Sequence, residues 1–151
     1  MQGYRMPLAI ALAVGIAATV TAYAQPTEQV LKLPDQIEWK APPMVGGAST
    51  AILFGDPTKP GVYVTRTKFP AGLKGLPHTH PDEWRTVVVL SGTIYFGLGD
   101  TWDESKLQPY PTGTLFSEPK ETPHFVWAKD GEVIVQVTAM GPTGTKLIPP
   151  K

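Results

Sequence analysis

The sequence predicts an all-β fold, a sandwich or barrel of short antiparallel strands. From residue 50 onward, short apolar runs rich in β-branched and aromatic residues alternate with Gly, Pro and Asp punctuation. Past the first 24 residues no stretch carries the 3.6-residue apolar period of an amphipathic helix. At 151 residues the chain suits one domain, since chains divide into several cores only at greater length.

The first 24 residues stand apart in composition. Arg5 is their only charge, residues 7–20 are almost wholly apolar, and Ala22, Tyr23 and Ala24 place small residues around a cleavage point. This pattern predicts a signal peptide cut near Ala24 and a periplasmic or secreted protein. An apolar run of about 14 residues falls short of the roughly 20 that a membrane-spanning helix needs. Residues 25–49 read as a proline-rich arm with Ile37 and Trp39 as its apolar anchors, and residues 50–151 as the domain proper.

Within that domain, strands are predicted over residues 50–54, 62–69, 86–90, 93–98, 114–116, 125–128 and 133–139. Turns fall at Asp56-Pro57, Lys59-Pro60-Gly61, Ser91-Gly92 and Asp130-Gly131. Residues 99–113 form the longest predicted connection, with Trp102 and Tyr110 as aromatic residues for packing or for lining a site.

Charge and cysteine content narrow the function. Thirteen basic residues balance thirteen acidic ones, so there is no basic stripe for nucleic acid or for an anionic membrane surface. The absence of cysteine excludes disulfides, thiolate metal sites and cysteine nucleophiles. Gly97-Leu98-Gly99 lacks the third glycine and the following helix of a dinucleotide site, and no Gly-x-Ser-x-Gly elbow is present.

The chemistry concentrates in the three histidines. His78 and His80 are two residues apart, which in an extended chain sends both imidazoles to one face. His124 opens another predicted strand 44 residues later. Three imidazoles on neighbouring strands can occupy one side of a divalent metal and leave the other side open. Tyr95, Phe116, Phe125, Trp127 and Gln136 are expected to face the interior, as pocket walls or as core, with the amide of Gln136 needing a polar partner there.

These residues resemble the two motifs of the cupin family. In the first, G-x5-H-x-H-x3,4-E-x6-G, the chain supplies Gly72, His78, His80 and Gly92 at the required offsets. In the second, G-x5-P-x-G-x2-H-x3-N, it supplies Gly113, Pro119 and His124, with Glu121 and Ala128 in place of the glycine and asparagine. The resemblance implies a single-domain cupin jelly roll, or double-stranded β-helix, with one divalent metal ion (Fe, Mn, Ni or Zn) near its centre. It also implies a small-molecule substrate or ligand and a homodimer.

The departure from the pattern is local. Arg85 stands where the first motif has its glutamate, and a guanidinium cannot bind a metal. Either a distorted turn lets Glu83, or secondarily Asp82, supply the carboxylate, or the site has three histidines with Arg85 beside them. The resemblance extends to thiol dioxygenases and a β-diketone dioxygenase whose iron is held by histidines alone. In that second arrangement the guanidinium fork favours an anionic substrate through paired hydrogen bonds. The expected function is a metal-dependent, dioxygenase-like oxidoreductase using Arg85 or Glu83 in catalysis; the alternative is a binding or sensing protein without turnover.

Overall fold

A computed structural model describes residues 28–40 and 47–150. The expected signal peptide and the first residues of the arm lie outside these. In chain order the strands are β1 (Ser49–Phe54), β2 (Gly61–Phe69), β3 (Lys74–Thr79), β4 (Arg85–Ser91), β5 (Thr93–Leu98), β6 (Gln108–Pro111), β7 (Leu115–Ser117), β8 (His124–Trp127), β9 (Val133–Gly141) and β10 (Lys146–Leu147). They form two five-stranded antiparallel sheets, ordered β1-β2-β9-β4-β7 and β10-β3-β8-β5-β6.

The first sheet follows directly from alternation. Along β9, Val133, Val135, Val137 and Ala139 are buried, and the residues between them are partly exposed. Its neighbours β2 and β4 add Tyr63, Val87 and Val89, and Ile94, Phe96 and Val126 close the core from the second sheet. Burying these side chains is the main stabilising contribution, worth roughly 1.5–3 kcal/mol for each large aliphatic or aromatic group.

The second sheet has shorter ladders. β3 contains Gly75 and Pro77, and its pairing with β8 shifts between Gly75 and His78. Proline donates no ladder hydrogen bond, so a register shift is where a strand tolerates it. β6 holds two prolines and is an edge strand, another position that needs no donor on its outer side. Neither β3 nor β6 was predicted. The expected long connection over residues 99–113 therefore contains a 3-10 turn, Glu104–Lys106, whose Asp103 cap accepts from Ser105 N at 3.0 Å, followed by β6.

In the described part of the arm, Ala48 is buried, Ile37, Trp39 and Ser49 are partly covered, and the other residues are exposed. Lys68 Nζ sits 4.5 Å from the Trp39 ring centre, and Lys40 bridges to Thr50 on β1. No helix among the described residues is long and apolar enough to cross a membrane.

Candidate metal centre

The register of the second sheet builds the histidine cluster. His78 on β3 lies directly opposite His124 on β8, and His80 follows just past the end of β3 on the same face. Ring centres are 4.3 Å apart for His78 and His124, 4.9 Å for His78 and His80, and 5.2 Å for His80 and His124. One ring nitrogen from each histidine lies within 4.8 Å of the other two. Phe96 packs nearly parallel to the His124 ring at 5.3 Å and fixes its plane.

Backbone carbonyls orient all three rings. His78 Nδ1 contacts Leu76 O at 2.6 Å, His80 Nδ1 contacts Gly144 O at 2.7 Å, and His124 Nδ1 contacts Thr122 O at 2.9 Å. A carbonyl oxygen only accepts, so each Nδ1 carries the proton and donates it. In the neutral ring Nε2 is then a bare lone pair, the tautomer a metal ligand requires. His124 Nε2 is buried without a hydrogen-bond partner. Burial holds His78 down at about 4, helped by its neighbour His124, and burial together with Arg85 holds His80 down at about 3. These two rings are therefore neutral at pH 7. Three imidazoles with converging Nε2 atoms, one of them otherwise orphaned, fit a divalent metal ion.

Beside the cluster lies a carboxylate that sequence reasoning missed. Glu118 follows β7, is buried, and places Oε1 3.7 Å from His124 Nε2 and Oε2 3.9 Å from His80 Nε2. Arg85 Nε donates to Glu118 Oε2. Burial works against the charged form of Glu118, but Arg85 and the other groups around it together outweigh it and keep the carboxyl below its ordinary value. Arg85 Nη1 also donates to Tyr63 Oη at 2.9 Å and lies 3.8 Å from Asp82. Asp82 in turn accepts from Tyr63 Oη and from Thr143 Oγ1, the latter at 2.9 Å. The signal for this network was in the sequence: an arginine at a glutamate position calls for a carboxylate elsewhere.

Several expectations are corrected. Glu83 is exposed and accepts from Lys120 Nζ, because the turn after His80 sends Asp82 inward and Glu83 outward. Arg85 lies at the site, but two carboxylates already offset its charge, so its Nε and Nη1 donors are committed. Tyr95 is on the outer face of β5, where its hydroxyl donates to Asp130 at 2.6 Å. Trp127 faces outward from β8, with Nε1 donating to Gly72 O at 3.2 Å and Lys74 and Lys129 over its ring. Gln136 is on the outer face of β9 and accepts from Arg66 Nε at 3.2 Å. Strand parity explains Gln136, which alternates with the inward Val135 and Val137.

Phe116 does line the interior, packing on Phe96 at 5.0 Å. Phe125 points away from the histidines toward Trp102 and lies over Gly97, where a Cβ would come within 2.5 Å of its ring. Tyr110 stacks on Phe96 at 5.6 Å.

A cavity of about 340 Å³ runs between the sheets from this polar end. Its walls are mostly apolar, including Phe69, Leu73, Ile94, Phe116 and Val135, while His78, His80, Arg85 and Glu118 form its polar side. Such a space, apolar with a few convergent polar groups, suits a small organic molecule. Motif glycines Gly72, Gly92 and Gly113 all have positive φ, and Glu121, in the position of the second motif's central glycine, also has φ 52°. Its carboxylate accepts from Thr79 Oγ1 at 3.0 Å, which ties the loop before His124 to β3.

No family model matches the sequence. Germin-like protein subfamily 2 member 1 of Arabidopsis thaliana is 33% identical over 123 residues, 82% of this chain and 55% of that protein. The chain spans about half the length of the curated relatives it matches or less. Among solved structures, the polyketide cyclase RemF from Streptomyces resistomycificus aligns with a TM-score of 0.68 at 15% identity, covering 82% of this chain and 88% of that one. An RmlC-like cupin from Shewanella frigidimarina aligns with a TM-score of 0.56 at 16% identity, covering 76% and 93%.

Proposed function

From the premise that this chain is a cupin, a jelly roll of the RmlC-like type, we propose that it is a metal-dependent, dioxygenase-like oxidoreductase acting on a small organic substrate. One observation carries the reading: three carbonyl-oriented histidines present bare Nε2 atoms to one point at the polar end of an apolar cavity. His78, His80 and His124 hold one divalent ion, Fe, Mn, Ni or Zn. When bound, such an ion supplies Lewis acidity and, for iron or manganese, access to dioxygen chemistry.

The chain's own residues do the rest. Phe69, Leu73 and Phe116 exclude water and hold the apolar body of the substrate. The Nδ1–H bonds keep the three rings from turning. Arg85 is offset by Glu118 and Asp82, so the positive field on the substrate is weaker than a lone guanidinium would give, and weakly acidic or neutral polar groups suit the site as well as carboxylates. The reading includes export, resting on the composition of residues 1–24, and a homodimer, resting on the family resemblance.

Oxygen uptake by the iron-loaded protein with a panel of small acids, phenols and diketones tests turnover. Uptake that depends on both metal and substrate is expected, and its absence across the panel would remove the enzymatic reading. A binding or sensing protein is the second reading. It is favoured by the pairing of Arg85 with Glu118, which leaves no unpaired acid among the described residues of the cavity wall. Retention of a small ligand without turnover would support it.

A further inference from the structure

We propose that Glu118 is the carboxylate ligand of this metal centre, displaced from its motif position onto the strand exit facing it, with Arg85 as its anchor. The inference rests on the three-histidine reading above and adds a fourth donor to it.

Because every Nδ1 donates to a carbonyl, the Nε2 lone pairs of His80 and His124 face the carboxylate oxygens of Glu118. The separations of 3.9 and 3.7 Å are too long for hydrogen bonds. Converging acceptors repel unless a cation lies among them. Two donor atoms bound to one ion at roughly 2.1 Å each lie about 3.0–3.5 Å apart at octahedral to tetrahedral angles. Glu118 therefore needs to move by less than about 1 Å to join the set.

Electrostatics agree. A buried carboxylate is costly unless paired, and Arg85 pairs mainly with Oε2, leaving Oε1 as the oxygen nearer His124. A ligating carboxylate held by a hydrogen bond on its other oxygen is a common support for metal sites. Topology supplies the neighbourhood: Glu118 N donates to Arg85 O at 3.1 Å, so position 118 lies beside position 85. Arginine and glutamate have in effect exchanged places across the gap between β4 and the exit of β7.

The test measures metal affinity by chelator competition on the full-length protein, using Co(II) and Zn(II), and records the visible spectrum of the Co(II) form. Glu118→Gln is expected to weaken binding on the order of 100-fold and to change the Co(II) band intensities. The exchange variant Arg85→Glu with Glu118→Arg keeps the ion pair, returns the carboxylate to the motif position, and is expected to bind within about 10-fold of the parent. Affinity within about 3-fold of the parent and an unchanged spectrum in Glu118→Gln, with binding still lost in His124→Ala, would overturn the proposal but spare the three-histidine reading.

Should Glu118→Gln fail to fold, a crystal structure of the metal-loaded parent decides. Glu118 Oε1 at roughly 2.0–2.2 Å from the ion supports the proposal, and a separation beyond about 3 Å refutes it. A parent chain that binds neither metal would bring down both readings together.

Discussion

The two sheets of this molecule do different work. The sheet built around β9 has the longer ladders, with clean alternation along β9 and shifts only at Ile52/Phe54 and Val89/Ser91, and supplies most of the apolar core. The sheet built around β8 is interrupted by glycine, proline and a register shift, and it carries His78 and His124. Regular pairing buries surface efficiently but fixes each side chain to one of two faces. The second sheet gives up some of that efficiency, and its close-packed glycines and shifted register set His78 opposite His124, facing Arg85 on β4 and Glu118 after β7 of the first sheet.

That contrast can be broken most severely at the glycines of the second sheet. Gly97→Ala would put a methyl group into the Phe125 ring, beside His124 in the chain. The expected cost is about 3 kcal/mol in chemical unfolding, with weaker metal retention. Val89→Ala, in the first sheet and buried, is expected to cost about 2 kcal/mol while leaving metal retention intact. Equal loss of metal in both variants would dissolve the distinction between the sheets.

Acidification sharpens it further. In the unfolded chain a histidine takes up a proton near its ordinary value of 6.5, but in the metal-free fold His78 and His80 do so only at about 4 and about 3. Between these limits the unfolded state binds more protons, so stability falls as pH drops. Thermal melts of metal-free protein should show the melting temperature falling from pH 6.5 toward pH 4. The loss should be smaller in a His78→Phe variant; an identical profile there would place the sensitivity elsewhere.

The smallest effects are expected on the outer surface. Glu83→Gln removes only an exposed pair with Lys120, and Gln136→Ala only an outer contact with Arg66. Each should change stability by less than about 0.5 kcal/mol and leave metal content unchanged.

Legibility in the sequence followed that division only in part. β2, β4, β5 and β9 were readable because β-branched residues alternate there over enough length to set a period. β3, β6 and β10 were not, since proline, glycine and shortness conceal strands whose pairing depends on partners distant in sequence. The three histidines were readable from spacing and motif. Glu118 was not, because a single glutamate before a proline has no local signature, and only the ladder around β4 and β7 brings it to Arg85. Tyr95 and Trp127 were misplaced for a related reason: aromatic character suggests a pocket, but register decides the face.

Elemental analysis of the purified chain after reconstitution, alongside His124→Ala and His78→Ala, asks whether His78, His80 and His124 together hold one metal ion. Close to one divalent ion per chain is expected in the parent and almost none in either variant. A parent holding less than about 0.1 equivalent, or variants that hold as much as the parent, would contradict binding by the three together.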